Sequence, residues 1–189
     1  MRIISGNAGG RRLIAPSGDK TRPTSDKIRG SLFNILMSRV ADSVVLDLFG
    51  GTGAMALEAM SRGAARAVIV DTDRLAIEAI RKNTQAVMGD DFRAQVDIIR
   101  SDYKRALSEM DRIKFDLVFL DPPYMMTDAY AQAQRMLEQG GLLADDCVLV
   151  CERSRDAAVT YAEGFEIYDT RAYGDTVVEL VRRVEKEQI

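Results

Sequence analysis

The tetrapeptide Asp121-Pro122-Pro123-Tyr124 carries residue types that suit chemistry on a planar amino group. Two consecutive prolines give a rigid loop without N–H donors, so the carbonyls around them remain available as acceptors. The Asp121 carboxylate and such a carbonyl could accept both hydrogens of an exocyclic amine, while the Tyr124 ring could stack on a base. The nitrogen lone pair would then be directed at an electrophilic methyl group held nearby. The tetrapeptide therefore predicts amino-group methylation, with Asp121, Pro122, Pro123 and Tyr124 as catalytic residues.

A glycine cluster, Asp47-Leu48-Phe49-Gly50-Gly51-Thr52-Gly53, lies between a short apolar run and a helical pattern. Glycines there let a ligand approach the backbone, and the start of the following helix offers free N–H groups. The Gly-Gly-x-Gly spacing differs from the dinucleotide-binding pattern, and no Gly-Lys-Ser/Thr of a phosphate-binding loop follows. A nucleoside cofactor without phosphates, such as S-adenosylmethionine, fits this loop. We assign Asp47, Gly50, Gly51, Thr52 and Gly53 to a predicted cofactor site.

Two further acidic residues follow later apolar runs. Asp71 could accept hydrogen bonds from both ribose hydroxyls, and Asp102 could accept one from the adenine amino group. Asp73 competes for the ribose, although it more naturally caps the next helix, and Asp102 could itself be an N-cap. Because Asp47, Asp71 and Asp102 end successive predicted strands, we expect all three on one rim of a sheet. Together with their neighbours they complete the predicted cofactor site, which adds Asp71, Thr72, Asp102 and Tyr103.

The composition restricts the chemistry. The 189 residues include no histidine, which removes the commonest general base and metal ligand. With only two cysteines, Cys147 and Cys151, we expect no metal site. Both cysteines lie in an apolar run, which predicts small buried side chains, and neither follows a proline, which disfavours a cysteine nucleophile. Catalysis must then use carboxylates, backbone groups, aromatic rings or a cofactor.

The charge is unevenly distributed along the chain. Residues 1–39 carry eight basic and two acidic side chains, whereas the remainder carries 18 basic and 27 acidic ones. A basic arm on an acidic body predicts a surface that contacts phosphates, with a solvated charged face as the alternative. The predicted substrate-binding residues are Arg2, Arg11, Arg12, Arg22, Thr24, Lys27 and Arg29.

The elements that must position these residues alternate along the chain. Apolar runs predict strands at 44–48, 67–71, 96–99, 115–120, 147–151, 165–168 and 176–182. Helical patterns lie at 54–62, 74–87, 103–110 and 128–138, and an earlier helix is expected to start near Thr24 or Ser25. Fully apolar strands alternating with helices predict an α/β fold with a mostly parallel, doubly wound sheet. The last two runs predict a C-terminal antiparallel hairpin, and runs 2–5 and 12–15 predict an N-terminal β-hairpin ahead of the first helix.

The chain is expected to be cytoplasmic. No apolar run approaches the roughly 20 residues of a membrane helix, and the N-terminus lacks the pattern of a signal peptide.

We divide the chain into a basic N-terminal extension, residues 1–40, and a catalytic domain, residues 41–189, and expect a monomer.

These motifs together resemble the Rossmann-like class I methyltransferases, and more narrowly the RsmD family. The segments that carry the resemblance are Arg2–Gly6, Gly10–Leu13, Thr21–Thr24, Leu32–Leu36, Leu46–Phe49, Glu58–Ala64, Phe119–Tyr124 and Tyr173–Thr176. The resemblance implies methylation of the N2 amino group of a guanine in small-subunit (16S) ribosomal RNA. It also implies S-adenosylmethionine in the pocket of Asp47, Asp71 and Asp102, with Asp121 to Tyr124 as the catalytic motif. The partner would be ribosomal RNA, either naked or assembled into the small subunit or a precursor.

Other interpretations remain open from the residues themselves. The same tetrapeptide serves enzymes that methylate N6 of adenine in DNA or amino groups in other RNA. A non-catalytic RNA-binding module could keep the cofactor fold, but the intact Asp121 motif and glycine loop disfavour it. A small-molecule methyltransferase would leave the basic arm without a role.

Overall fold

The predicted strands form one seven-stranded sheet. The computed structural model describes residues 1–15 and 25–184. Its strands are β1 Val44–Asp47, β2 Arg66–Asp71, β3 Val96–Arg100, β4 Phe115–Leu120, β5 Leu143–Ser154, β6 Phe165–Tyr173 and β7 Thr176–Arg183. Its α-helices are α1 Asp26–Ile35, α2 Met37–Val40, α3 Ala54–Ser61, α4 Arg74–Met88, α5 Tyr103–Glu109 and α6 Ala129–Gln139, and a 3-10 turn spans Asp90–Ala94.

The strand order is β3-β2-β1-β4-β5-β7-β6. Strands β1 to β5 are mutually parallel, whereas β7 runs antiparallel between β5 and the edge strand β6. The predicted doubly wound sheet and its C-terminal antiparallel hairpin are confirmed. All five parallel strands end at the same edge, so the loops that follow them meet there.

Strand β5 is longer than its apolar run predicts. It spans 12 residues, and its first residue, Leu143, pairs with Phe115 across an irregularity in the register. Residues 144–146 interrupt the apolar pattern, but β5 has a partner on each side, β4 and β7. Beyond the apolar run, residues 152–154 pair with β7, so backbone pairing extends the strand where the side-chain pattern does not.

Two apolar layers cover the two faces of the sheet. On one face, Phe33 and Leu36 of the first helical segment pack with residues of α3 and α4. On the other face, residues of α5 and α6 pack against the sheet around Leu46 and Val118. Because strand side chains alternate between faces, Val45 joins the first layer and Leu46 the second.

The N-terminal segment folds back onto α3. The predicted hairpin is reduced to one antiparallel bridge between Arg2 and Arg12, and Ile3 and Leu13 pack against α3. Ser25 is the N-cap of α1, because its hydroxyl accepts a hydrogen bond from the Ile28 N–H. Helix α1 shares a hydrophobic core with the sheet. The predicted domain boundary at residue 40 stays a prediction.

None of the helices in the described part of the chain has the length and apolar character that a membrane crossing requires.

Candidate active site

A cavity of about 650 Å³ opens at the edge where the five parallel strands end. Every loop that follows β1 to β4, and the end of β5, contributes to its wall. For clarity, we call residues 47–55, 71–73 and 101–104 the β1–β3 side of the cavity, and residues 119–126 together with Val150 and Glu152 the β4–β5 side. Nearly all of the sequence-predicted catalytic and cofactor residues line this one cavity. The exceptions are Gly53, inside the glycine loop, and the buried Pro122.

The strand register explains why carboxylates collect here. Asp47 ends β1 between Ile69 of β2 and Phe119 of β4, so it lies in the middle of the rim. Asp71 ends β2, one strand away. On the other flank, Leu120 pairs with Cys151, which places the next residues, Asp121 and Glu152, side by side. Four neighbouring strands therefore present four carboxylates to one cavity.

The glycine loop is held by backbone hydrogen bonds. The Gly50 N–H donates to the Val70 carbonyl at 2.8 Å, and the Gly51 N–H donates to Asp71 Oδ2 at 2.8 Å. A Cβ on Gly50 would stand 2.5 Å from a methyl group of Ile69, so only glycine fits this close approach. Gly51 has a φ of +56°, a conformation that also favours glycine. The loop therefore has a fixed shape before any ligand binds.

Asp71 both shapes the loop and faces the cavity. Besides the bond from Gly51, its Oδ1 accepts a hydrogen bond from the Asp73 N–H at 2.8 Å. Each carboxylate oxygen has a second lone pair, so both oxygens can accept a further bond from a ligand. Asp73 caps α4 by accepting from Leu75 and Ala76, as the sequence suggests. Thr72, between them, is exposed on the cavity wall.

Asp102 combines two roles that the sequence presents as alternatives. Its Oδ1 accepts hydrogen bonds from the N–H groups of Lys104 and Arg105, both at 3.1 Å, so it is the N-cap of α5. It also lines the cavity. The adjacent Tyr103 is buried, and its ring lies 5.3 Å from that of Phe49, measured between centroids. These two rings give the β1–β3 side an apolar wall.

Two carboxyl groups of the rim resist ionisation. The pKa of Asp47 is raised to about 7, mainly because burial disfavours the charged form and partly because of the nearby charge of Asp71, while hydrogen bonds from the N–H groups of Ala56 and Phe49 oppose these effects. Asp121 is reached by solvent through the cavity mouth. Its surroundings still raise its pKa well above the ordinary value, first through desolvation and then through the charges of Glu152 and Asp47. The charges of Asp71 and Glu152 contribute to these shifts, so the rim has a negative potential that favours positively charged or hydrogen-donating ligands.

The proline loop projects from the β4–β5 side. Pro122 is buried and anchors the loop, whereas Asp121, Pro123 and Tyr124 are exposed. The Met126 N–H donates to the Pro123 carbonyl at 2.8 Å and closes a turn. The side chain of Tyr124 is 63% exposed, so a ring face is available for stacking at the cavity mouth.

Comparisons with known proteins agree with this fold. The sequence profile of the family described as "Conserved hypothetical protein 95" matches residues 1–182. The chain belongs to this family. It is 33% identical over 187 residues to "Putative rRNA methyltransferase YlbH" of Bacillus subtilis, covering 97% of this chain and 99% of that protein. It is 30% identical over 184 residues to "Ribosomal RNA small subunit methyltransferase D" of Escherichia coli K12, covering 97% and 90%.

The solved structure of "Putative methyltransferase yhhF from Escherichia coli" superposes with a TM-score of 0.83 at 29% identity, over 97% of this chain and 98% of that chain. The resemblance to the RsmD family and the class I methyltransferase fold are therefore confirmed. The roles of individual residues in this RsmD family member stay predictions.

The structure separates the predicted RNA-contacting residues of this RsmD family member into three groups. Arg2, Arg11, Arg12 and Lys27 are exposed. Arg22 and Thr24 lie outside the described residues. Arg29 is fully buried, which corrects its assignment to the RNA-contacting surface.

Arg29 is buried because it lies on the inner face of α1, next to Ile28. Its guanidinium donates to the Arg2 carbonyl and to Asp26 Oδ1, and its Nε lies 3.7 Å from Glu58 Oε2. Glu58 in turn accepts hydrogen bonds from the N–H groups of Ile4 and Ser5. Arg29 therefore fixes the N-terminal segment to α3, a structural role that a count of charges cannot distinguish from RNA contact.

Glu152 and Phe49 are among the cavity residues that the sequence does not predict. Glu152 follows the buried β5 residues 147–151, so the same rule that identifies Asp47 and Asp71 could have found it. Phe49 lies inside the predicted glycine cluster, from which only glycines and polar residues were assigned to the cofactor site. Both line the cavity of this RsmD family member.

Proposed function

We propose that this protein transfers a methyl group from S-adenosylmethionine to the exocyclic N2 amino group of a guanine in small-subunit (16S) ribosomal RNA. The observation that carries the proposal is the position of Asp121, at the cavity mouth beside the exposed Tyr124 ring and within reach of the β1–β3 side. The names of the Bacillus subtilis and Escherichia coli relatives refer to ribosomal RNA, which supports this class of substrate.

The β1–β3 side suits S-adenosylmethionine by its donors and acceptors. Asp71 offers carboxylate oxygens to ribose hydroxyls, Asp102 offers one to an adenine amino group, and Phe49 and Tyr103 provide an apolar wall. Residues 47–53 include no lysine or arginine for a phosphate, whereas the carboxylates of the rim attract cationic groups. When bound, the cofactor supplies an electrophilic methyl group on a positively charged sulfur.

Asp121 would orient and activate the acceptor nitrogen. An exocyclic amine of a base is a weak nucleophile, because its lone pair is delocalised into the ring. Hydrogen bonds from both amino hydrogens to the Asp121 carboxylate and a carbonyl of the proline loop return electron density to nitrogen. The Tyr124 ring would hold the base plane, and stacking of this kind is worth roughly 1–3 kcal/mol. The β4–β5 side thus supplies orientation, which can account for several orders of magnitude in rate.

The methylated nitrogen must then lose a proton, and Asp121 can accept it. Desolvation and neighbouring charges hold the pKa of this carboxyl well above its ordinary value, so it binds a proton more readily than an exposed aspartate. Solvent reaches Asp121 through the cavity mouth, which gives the proton a path to water. No histidine is needed for this step.

The exposed basic residues of the N-terminal segment would bind the RNA backbone. Flipping a base out of its stack costs a few kcal/mol, and phosphate contacts from Arg11 and Arg12 can offset that cost.

The decisive experiment maps methyl groups on ribosomal RNA by mass spectrometry in a strain that lacks this protein. We expect one missing N2-methylguanine in the small-subunit RNA, restored by expression of the intact protein. Purified protein with S-adenosylmethionine should then methylate that guanine in naked RNA, in assembled particles, or in both. An unchanged set of methyl groups in small-subunit RNA, with a missing one on adenine or in another nucleic acid, would contradict the proposal.

A further inference from the structure

Glu152 lies beside Asp121 on the cavity wall. The two residues follow the paired positions Leu120 and Cys151 on adjacent parallel strands, and both line the cavity. In keeping with this position, the charge of Glu152 contributes, after desolvation, to raising the pKa of the Asp121 carboxyl. Glu152 therefore lies on the same wall as the proposed amino-group acceptor.

The backbone at Glu152 is held from two directions. Strand β5 has partners on both sides here, and Glu152 itself pairs with Val178 of β7. The buried Tyr130 donates its hydroxyl to the Glu152 carbonyl at 2.5 Å, which fixes the backbone from α6. The next residue, Arg153, is engaged by Glu179, with Nη2 and Oε1 2.7 Å apart. A side chain that extends from such a fixed backbone is better placed to discriminate between ligands than one on a loose loop.

Base chemistry decides what a pair of carboxylates can recognise. Ionised carboxylates only accept hydrogen bonds. The Watson–Crick edge of guanine offers three adjacent N–H bonds, two on N2 and one on N1. Adenine and cytosine instead place a ring-nitrogen lone pair beside their amino group, and that lone pair repels a carboxylate.

We propose that Glu152 is a specificity-determining residue that accepts the N1–H of guanine while Asp121 accepts from the N2 amino group. This inference rests on the proposed function and extends it from methyl transfer to base choice. Asp121 alone would accept any exocyclic amine, whereas the pair matches the donor pattern of guanine. A bound guanine would offer a donor to each of the two carboxylates, which offsets part of the repulsion between their like charges.

The test compares guanine with 2-aminopurine at the mapped position. 2-Aminopurine keeps the 2-amino group but has a lone pair at N1 and lacks the 6-oxygen. Small-subunit RNA, free or in particles, is prepared by ligation with either base at that position, and kcat/KM for methyl transfer is measured with the wild-type protein and Glu152→Gln. Because the missing 6-oxygen affects both proteins, it cancels in a double-mutant cycle.

We expect the wild-type protein to prefer guanine by about 10- to 100-fold, the order expected when one buried acceptor loses its donor. Glu152→Gln should lose activity on guanine while its preference shrinks by about tenfold or more, because the amide N–H can donate to N1 of 2-aminopurine. Calorimetric affinity for S-adenosylmethionine should stay within about threefold. Glu163→Gln, an exposed glutamate outside the cavity, serves as the matched control and should behave as wild type.

Two results would overturn the inference. A wild-type preference near one, or an equal loss by Glu152→Gln on both bases, would assign Glu152 a structural or purely electrostatic role. Failure of the proposed function looks different, because the wild-type protein would then transfer no methyl group to the guanine-containing RNA. The inference would fall with it.

Discussion

The two sides of the cavity differ in how their carboxylates are satisfied. On the β1–β3 side, Asp71 accepts from Gly51 and Asp73, Asp102 caps α5, and Asp47 accepts from Ala56 at 3.4 Å. On the β4–β5 side, the proline loop has no N–H to offer at positions 122 and 123, and Asp121 faces the charge of Glu152. One side is shaped by hydrogen bonds from the protein's own backbone, and on the other side Asp121 is exposed to a ligand that enters the cavity.

This difference teaches how one rim can serve two ligands. Backbone donors fix the first side before binding, so a cofactor meets a preformed shape and little ordering is required. The second side keeps a carboxyl whose protonation and hydrogen bonding respond to what enters. A rigid site for a constant cofactor and a responsive site for a reacting amine are therefore built from the same residue type.

The largest expected effect is the loss of methyl transfer on Asp121→Ala. Without its carboxylate the acceptor nitrogen is neither activated nor aligned, so kcat should fall by about 100-fold or more. Affinity for S-adenosylmethionine, measured by calorimetry, should change by less than about threefold, because Asp121 belongs to the other side. Asp156→Ala, an exposed position, is the control. Activity within tenfold of wild type would remove Asp121 from the chemistry.

A second variant, Asp47→Asn, tests whether burial of the Asp47 carboxylate in the middle of the rim lowers the free energy of unfolding. The folded-state pKa of Asp47 is raised to about 7 from 3.8, so the native state binds more protons than the unfolded state between these values. The contribution of Asp47 to stability is therefore full below about pH 4 and is lost as the pH rises through about 7.

At pH 8, Asp47→Asn should raise the free energy of unfolding by roughly 1–3 kcal/mol and flatten its pH dependence between pH 4 and 7. Urea unfolding at a series of pH values measures both quantities. A variant that is less stable at pH 8, with the wild-type pH dependence, would show that Asp47 is not strained by burial.

The third variant, Asp71→Ala, should have the converse effect of Asp121→Ala. Hydrogen bonds to a charged acceptor are worth about 1.5–3 kcal/mol each, so loss of the ribose contacts should weaken S-adenosylmethionine binding by about 10- to 100-fold. The glycine loop also loses the acceptor for its Gly51 N–H. Binding of RNA, measured without cofactor, should not change. If instead RNA affinity fell and cofactor affinity held, the two sides would have to exchange their assignments.

The sequence predicts most of the β1–β3 side because its residues lie next to strand ends. Asp47, Asp71 and Asp102 each follow an apolar run, and parallel strands bring such positions together whatever the tertiary detail. Asp102 can both cap α5 and line the cavity because only one of its carboxylate oxygens accepts hydrogen bonds from the helix. Strand order across the sheet is less visible, and only the β4–β5 pairing shows that Glu152 stands beside Asp121.

The N-terminal segment is predicted least well from the sequence, again because its contacts join residues that are far apart along the chain. Arg29 and Glu58 are 29 positions apart, and nothing local distinguishes a buried arginine from a solvent-exposed one. Periodicity offers a partial signal, since Arg29 lies beside Ile28 on the buried face of α1. Buried charges require partners, and those partners are known only once the fold is known.

The smallest expected effect is that of a double variant of Arg11 and Arg12. It tests whether the basic N-terminal segment acts only by binding RNA and leaves cofactor binding and the chemical step unaffected. Both side chains are exposed. Changing both to glutamine should weaken RNA binding and reduce the slope of log affinity against log salt by about 1–2, since each lost phosphate contact removes roughly 0.7–0.9. Cofactor affinity and kcat at saturating RNA should remain unchanged.

The matched control changes Arg93 and Arg112 to glutamine. Both are exposed and lead into β3 and β4, so they lie at the edge of the sheet opposite the cavity. The control should keep the wild-type salt slope. If the slope depended only on the number of positive charges, both double variants would reduce it alike. Equal slopes for all three proteins would take Arg11 and Arg12 out of the interface, whereas equal reductions would indicate non-specific attraction by net charge. A reduction confined to Arg11 and Arg12 would place the RNA backbone along the segment that Arg29 and Glu58 hold in position, and so connect that buried ion pair to substrate binding.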